Sequence, residues 1–238
     1  MESEQTKEIS NPIQAASEVF YRPQAVFNTI GKVNNWSWIP FIIVTALLFI
    51  PSYLYYGMVD LDWLIHQMAL ANDPEASPAE LENFKSQLPK EAIIWSAYGI
   101  PIGVAIVNAI IAGYYTLVTR NDEENVQGYM DWYGAGWWIL MPTVVNGLIA
   151  CILLALQAHG TQVSPAIVSP LSLAFMFGVE ITSGWFNFLS SVRLDSFWSI
   201  LLAGYCINCW TSYSFQKSLI LAAVPSLFIW LLSFMFAL

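Results

Sequence analysis

In a chain of 238 residues, 57% are hydrophobic and 11% charged, with a mean hydropathy of +0.55. Soluble domains carry charge on about a quarter of their residues, so the composition excludes a water-soluble fold and points to a polytopic membrane protein. The formal net charge of -9 disfavours nucleic acid as a partner.

Cys151, Cys206 and Cys209 lie inside apolar runs, where a secreted-type disulfide framework is out of place. The opening MESEQTKEISNP has no basic region followed by an apolar one, so no cleavable signal peptide is expected. Residues 1–10 are polar and expected to be disordered, and residues 11–238 read as a single membrane domain. Asn11-Pro12 reads as a helix cap followed by proline at the first helical position. Ile13, Ala16 and Phe20 share one face of that helix, and Arg22-Pro23 ends it and starts another, with Val26, Phe27 and Ile30 at helical spacing. Both pieces are too short to span. Residues 11–36 fit a helical hairpin in the membrane interface, with Trp36 and Trp38 in the aromatic belt, or a pair packed on cytoplasmic helix ends.

Six spans are expected, at about 39–56, 92–118, 136–157, 166–189, 196–213 and 217–237, giving an all-α, multi-pass fold. Between the first two, residues 58–91 form an acidic helical hairpin: Asp60 to Leu70, then a helix opened by the capping-box spacing Ser77-Pro78-Ala79-Glu80. Asp60 to Glu91 carries seven acids against Lys85 and Lys90. Gly99 and Gly103 offer a small-residue contact in the second span, and Pro142, Asn146 and Gly147 predict a kink in the third. Asp195 reads as the cap of the fifth. With the N-terminus inside, Lys7, Arg22, Lys32, Arg120 and Arg193 are cytoplasmic and Lys85, Lys90 and Lys217 are not. That places both termini in the cytoplasm and the acidic hairpin outside it.

Glu180 lies well inside the 166–189 run, where a carboxylate costs roughly 2.5 to 3.5 kcal/mol and so faces protein, a partner or water. A polar core of Glu180 with Asn108, Asn146 and Asn208 would serve either transport or interhelical bonding. His66 and His159 fall in different loops, and neither H-E-x-x-H nor G-x-S-x-G occurs. Cys206-Ile207-Asn208-Cys209 has metal-site spacing without a second ligand pair and reads as packing. No catalytic, cofactor or metal site is expected.

The segments NPIQAASEVFYRPQAVFNTI and NNWSWIP, and LDSFWSILLAGYCINCW before a lysine-led last span, together resemble the bacterial branch of the Yip (Ypt-interacting protein) membrane family. The positions that carry the resemblance are Asn11, Pro12, Arg22, Pro23, Asp195, Phe197 and Trp198. Asp131, Tyr133 and Gly134 are similar to an Asp-Leu-Tyr-Gly-Pro motif of eukaryotic members, which have five spans, although Ala135 replaces its proline. The resemblance implies a non-enzymatic inner-membrane protein without cofactors. It would act on other membrane proteins, such as exporters of the ATP-binding-cassette class, or by self-association. A small-molecule or lipid transporter built around Glu180 is the competing expectation.

Overall fold

Asn11 opens the first helix by accepting the Gln14 backbone N–H on its side-chain oxygen at 2.9 Å, and Pro12 takes the first position, where no N–H is needed. The computed structural model describes residues 9–237, so most of the tail expected to be disordered lies outside the described residues. Helices α1 (Pro12–Glu18) and α2 (Pro23–Ile30) are followed by α3 (Trp38–Met58), α4 (Leu61–Asn72), α5 (Pro78–Gln87), α6 (Lys90–Ser96) and α7 (Gly99–Thr119). Then come α8 (Tyr129–Ile139), α9 (Thr143–Ala155), α10 (Leu173–Met176), α11 (Phe186–Ser191), α12 (Leu194–Trp210) and α13 (Phe215–Met235). The fold is all-α; among the described residues only isolated bridges, Val59 with Thr161 and Ser172 with Arg193, have β pairing.

Among the described residues four stretches are long and apolar enough to cross a membrane: Trp38–Met58, Lys90–Thr119, Tyr129–Ala155 and Phe215–Met235. The second is broken between α6 and α7, just ahead of Pro101. The third breaks at Leu140 to Pro142, because proline has no N–H to donate back to the preceding turn. Helix α12 is apolar but has 17 residues. Ile102, Ile106 and Ile110 form an exposed stripe along α7, the kind of surface that lipid covers.

The expectation of a spanning helix over 166–189 does not hold. That stretch holds a 3-10 turn at Pro165–Val168, the single turn α10 and the short α11. Its two ends meet: Leu173 N–H donates to the Val192 carbonyl at 3.0 Å, and Leu194 N–H to that of Leu171 at 2.9 Å. A continuous helix would hold Leu171 and Leu194 roughly 35 Å apart. The physical causes are local. Pro170 cannot continue a helical ladder, Ser172 caps α10 through the Phe175 N–H, and Gly178 ends it with φ +63°.

The described chain forms two compact units. One comprises residues up to Val44, Ile106–Pro142 and Trp198–Val224. Its centre is aromatic: Trp132 lies 5.6 Å from Tyr115 and 4.8 Å from Trp210, ring to ring. Trp210 Nε1 donates to the Phe27 carbonyl at 2.9 Å, and Phe20 meets Trp198 edge-on at 5.3 Å, so α1 and α2 are seated on α12. Val19, Val26 and Phe27 are fully buried there, whereas Ile13 and Tyr21 stay outward.

The other unit comprises Thr45–Ala105, Thr143–Phe197 and the chain from Pro225. Tyr55, Val59, Leu64, Ile65, Ile93, Leu154 and Ile167 form its core, against which Phe84 and Leu88 also pack. Asp60 caps α4 through the Trp63 N–H, and Ser77 with Glu80 forms a reciprocal capping box on α5. The 2.6 Å pair of Lys90 with Asp62 is exposed on both sides and adds little.

Close helix contact is made at glycines other than those anticipated. Around Gly99 and Gly103 there is open space. A Cβ on Gly147 of α9 would instead overlap the Leu47 carbonyl oxygen of α3, and one on Gly136 of α8 would overlap the Asn108 side chain of α7. Gly147→Ala should therefore lower stability by about 1–3 kcal/mol, since a backbone carbonyl cannot move aside. Gly103→Ala should leave it unchanged or slightly higher. The thermal unfolding midpoint in detergent reads the contrast, and equal midpoints for the two variants would refute the close contact.

Candidate functional site

Asn108, Asn146 and Asn208, the asparagines of α7, α9 and α12, are each partnered. Asn108, 3% exposed on α7, donates through Nδ2 to the Tyr133 carbonyl at 3.0 Å in the space left by Gly136. Asn208 on α12 donates to the Tyr213 carbonyl at 2.8 Å and so closes its own helix end. Asn146, 1% exposed on α9, makes two bonds at once. Its Nδ2 donates to Val168 O at 3.3 Å while Oδ1 accepts Leu171 N–H at 3.0 Å. It supplies the bonds that the broken stretch cannot make within itself.

Glu180 is exposed and sits in the turn after α10, where its backbone carbonyl accepts the Ser183 N–H at 3.0 Å. It lines a cleft of about 320 Å³ with Trp63, Gln67, Ser164 and Ile181. Asn146, in the same unit, is not part of that lining. The three asparagines spend their amides on backbone carbonyls, and among the described residues no hydrogen bond joins Asn146 to Glu180.

The motif positions serve as helix starts and anchors. Arg22 pairs with Glu18 at 2.7 Å, a buried carboxylate that also accepts from Gln14 Nε2 at 2.8 Å, and Pro23 begins α2. Asp131 accepts the Gly128 N–H at 2.8 Å and fixes the start of α8. Gly134 lets Ser37 approach, since a Cβ there would lie 2.8 Å from its Oγ. Asp195 lies within the first turn of α12 rather than at its cap. Its carboxylate, 3% exposed, is gripped on both oxygens by Arg193. Phe197 packs on Trp230 at 5.2 Å, and Trp198 on Phe20.

The sequence did not reveal Asp122, one of three successive acids in the loop after α7. Both its oxygens accept from Ser212, one from the backbone N–H at 3.0 Å and one from the hydroxyl. Those bonds hold its carboxyl below the usual range. Tyr213 OH donates to the Val118 carbonyl at 3.1 Å beside it. The two loops are thereby tied together. Among the described residues no group of three or more His, Cys, Asp or Glu could hold a metal ion, and Cys206 is fully buried in the aromatic unit.

Asn146→Leu would strand the Leu171 N–H and the Val168 carbonyl. It should destabilise the protein by about 1–3 kcal/mol per unmet group, whereas Asn187→Ala on the exposed face of α11 should be near neutral. Unfolding midpoints of the two variants check this, and a neutral Asn146→Leu would deny the bracing role.

No curated protein and no solved structure matches the chain. The family model described as the Yip1 domain matches residues 17–238, which takes in every membrane helix and all the motif positions from Arg22 onward. With nearly its whole length accounted for in this way, the chain belongs to the Yip1 domain family.

Proposed function

We propose that this chain is a non-catalytic, multi-pass protein of the bacterial inner membrane that works by binding other membrane proteins, an exporter of the ATP-binding-cassette class being the partner type. The Asn11-Pro12, Arg22-Pro23 and Asp195 elements, in that order, support the bacterial branch. The observation that carries the interaction reading is α5, which has no buried residue. Phe84 and Leu88 hold it on a packed base, so Asp73, Glu75, Glu80 and Glu82 point outward from a fixed surface. Ser77 bonds hold the Glu80 carboxyl below its usual range, and the Trp63 N–H does the same for Asp60. Such a face keeps its negative charge and suits a basic partner surface.

The topology that fits this reading has five crossings: α3, α7, α8 with α9, α12 and α13. Two bonded junctions support it. The 171–194 stretch returns to its own start, and Asp122 bonds Ser212, which requires an even number of crossings between them. With the N-terminal region cytoplasmic, Lys217 moves inside and Arg193, neutralised by Asp195, moves out. The end of α13 then faces away from the cytoplasm, with the 58–91 hairpin. A second reading, transport of a small molecule or lipid, is favoured by the Glu180 carboxylate lining a cleft with Gln67 and Ser164.

Converting Glu75, Glu80 and Glu82 to lysine should abolish cross-linking from α5 to the exporter in native membranes, while Glu180→Gln should leave it intact. The opposite pattern, loss with Glu180→Gln and none with charge reversal, sinks the interaction reading in favour of transport. For topology, cysteines are placed singly in a chain freed of Cys151, Cys206 and Cys209. Those at Glu82 and His159 should react with an impermeant maleimide from outside, and those at Glu123 and Ser214 only after permeabilisation. Outside labelling at Ser214 would restore the six-crossing arrangement.

A further inference from the structure

The unit centred on Trp132 contains a half-open cleft of about 580 Å³ beside the starts of α3 and α8. Its wall is aromatic. Trp38 and Phe41 meet edge-on at 5.5 Å, and Phe41 meets Trp137 edge-on at 4.8 Å. Its rim is polar: Asn34, Asn35, Ser37 and Asp131 line it, and Asn35 bends the chain round the opening with φ 67°. Ser37 Oγ accepts the Trp138 Nε1–H at 3.1 Å, which leaves its own proton free to donate.

Charge decides what the cleft selects. Among the described residues, Asp131 is the one charged residue lining it, and Lys32, although exposed nearby in sequence, is not part of the lining. One Asp131 oxygen accepts the Gly128 N–H; the other has no hydrogen-bond partner among the described residues. An accepting carboxylate beside aromatic faces suits an ammonium group, through charge and cation–π attraction together. The Asn34 and Asn35 amides and the Ser37 hydroxyl supply neutral donors for a phosphate. Trp38, 60% exposed at the head of a membrane helix, gives an apolar exit. The arrangement disfavours a purely anionic head, which would meet Asp131 with no lysine or arginine among the described lining residues to offset it.

We propose that this cleft binds the headgroup of an aminophospholipid, with the ammonium on Asp131, the phosphate on the asparagine and serine donors, and the acyl chains leaving past Trp38. The proposal is independent of which protein α5 meets.

The full chain in mild detergent, titrated with phosphatidylethanolamine or phosphatidylglycerol and followed by native mass spectrometry, tests it. Phosphatidylethanolamine should be retained about five-fold better. Asp131→Asn should lose that preference, because the amide oxygen can still accept from Gly128 but carries no charge. Glu124→Gln, an exposed acid outside the cleft, should keep it. Trp38→Ala, at an exposed position, should weaken phosphatidylethanolamine binding without unfolding the chain, so the proposal stays testable even if Asp131→Asn fails to fold. Equal retention of the two lipids, or a preference that survives Asp131→Asn, would overturn it. Free ethanolamine giving the same rise in unfolding midpoint without acyl chains would make the ligand a soluble amine and overturn the lipid assignment.

Discussion

A chain that leaves the helix among membrane spans must still find a partner for each N–H and C=O it frees, and much of this architecture answers that demand. Residues 165–194 contain no helix longer than two turns. Their stability is borrowed. Asn146 accepts from Leu171 and donates to Val168 near the start of the stretch, and the backbone of Leu171 and Leu173 pairs with that of Leu194 and Val192. Gly147, next to Asn146, brings α9 against the α3 backbone, so the bracing side chain stands on a helix that is itself held closely. The break at Pro142 sits one turn upstream and separates α9 from α8.

The same economy governs the other unit. Polar atoms there are spent on joining segments distant in sequence: Trp210 to Phe27, Asp122 to Ser212, Asn108 to Tyr133. Helix association in lipid lacks a hydrophobic driving force between helices, so packing of small residues and a few well-placed hydrogen bonds carry it. From sequence the asparagines suit either a polar passage or interhelical bonding. In the structure each of them bonds to backbone groups.

What the sequence made legible was the chemistry that acts over three or four residues. Asn11-Pro12, Ser77 with Glu80, Pro23 and Pro142 each start or stop a helix through atoms of the same turn, and each is found doing so. The stretch 166–189 misleads because hydropathy measures what surrounds a segment and not whether it is straight. Pro170, Gly178 and Gly184 are signals of a break, yet the apolar length and the isolated Glu180 outweigh them in a reading by composition. Gly99 and Gly103 have the spacing of a contact and nothing facing them, whereas Gly136 and Gly147 have no such spacing and press on neighbours. No local pattern reports what lies opposite. Asp122 and Ser212, 90 residues apart, are beyond any periodicity.

The seat of the entry helices has a consequence for biosynthesis. α1 and α2 are synthesised before α12, and the indole that donates to Phe27 is 183 residues further along. The N-terminal hairpin therefore waits, with Val19, Val26 and Phe27 short of their final burial, until α12 has been made and inserted. Helices made early are thus docked late, and their seating reports that α12 is in place.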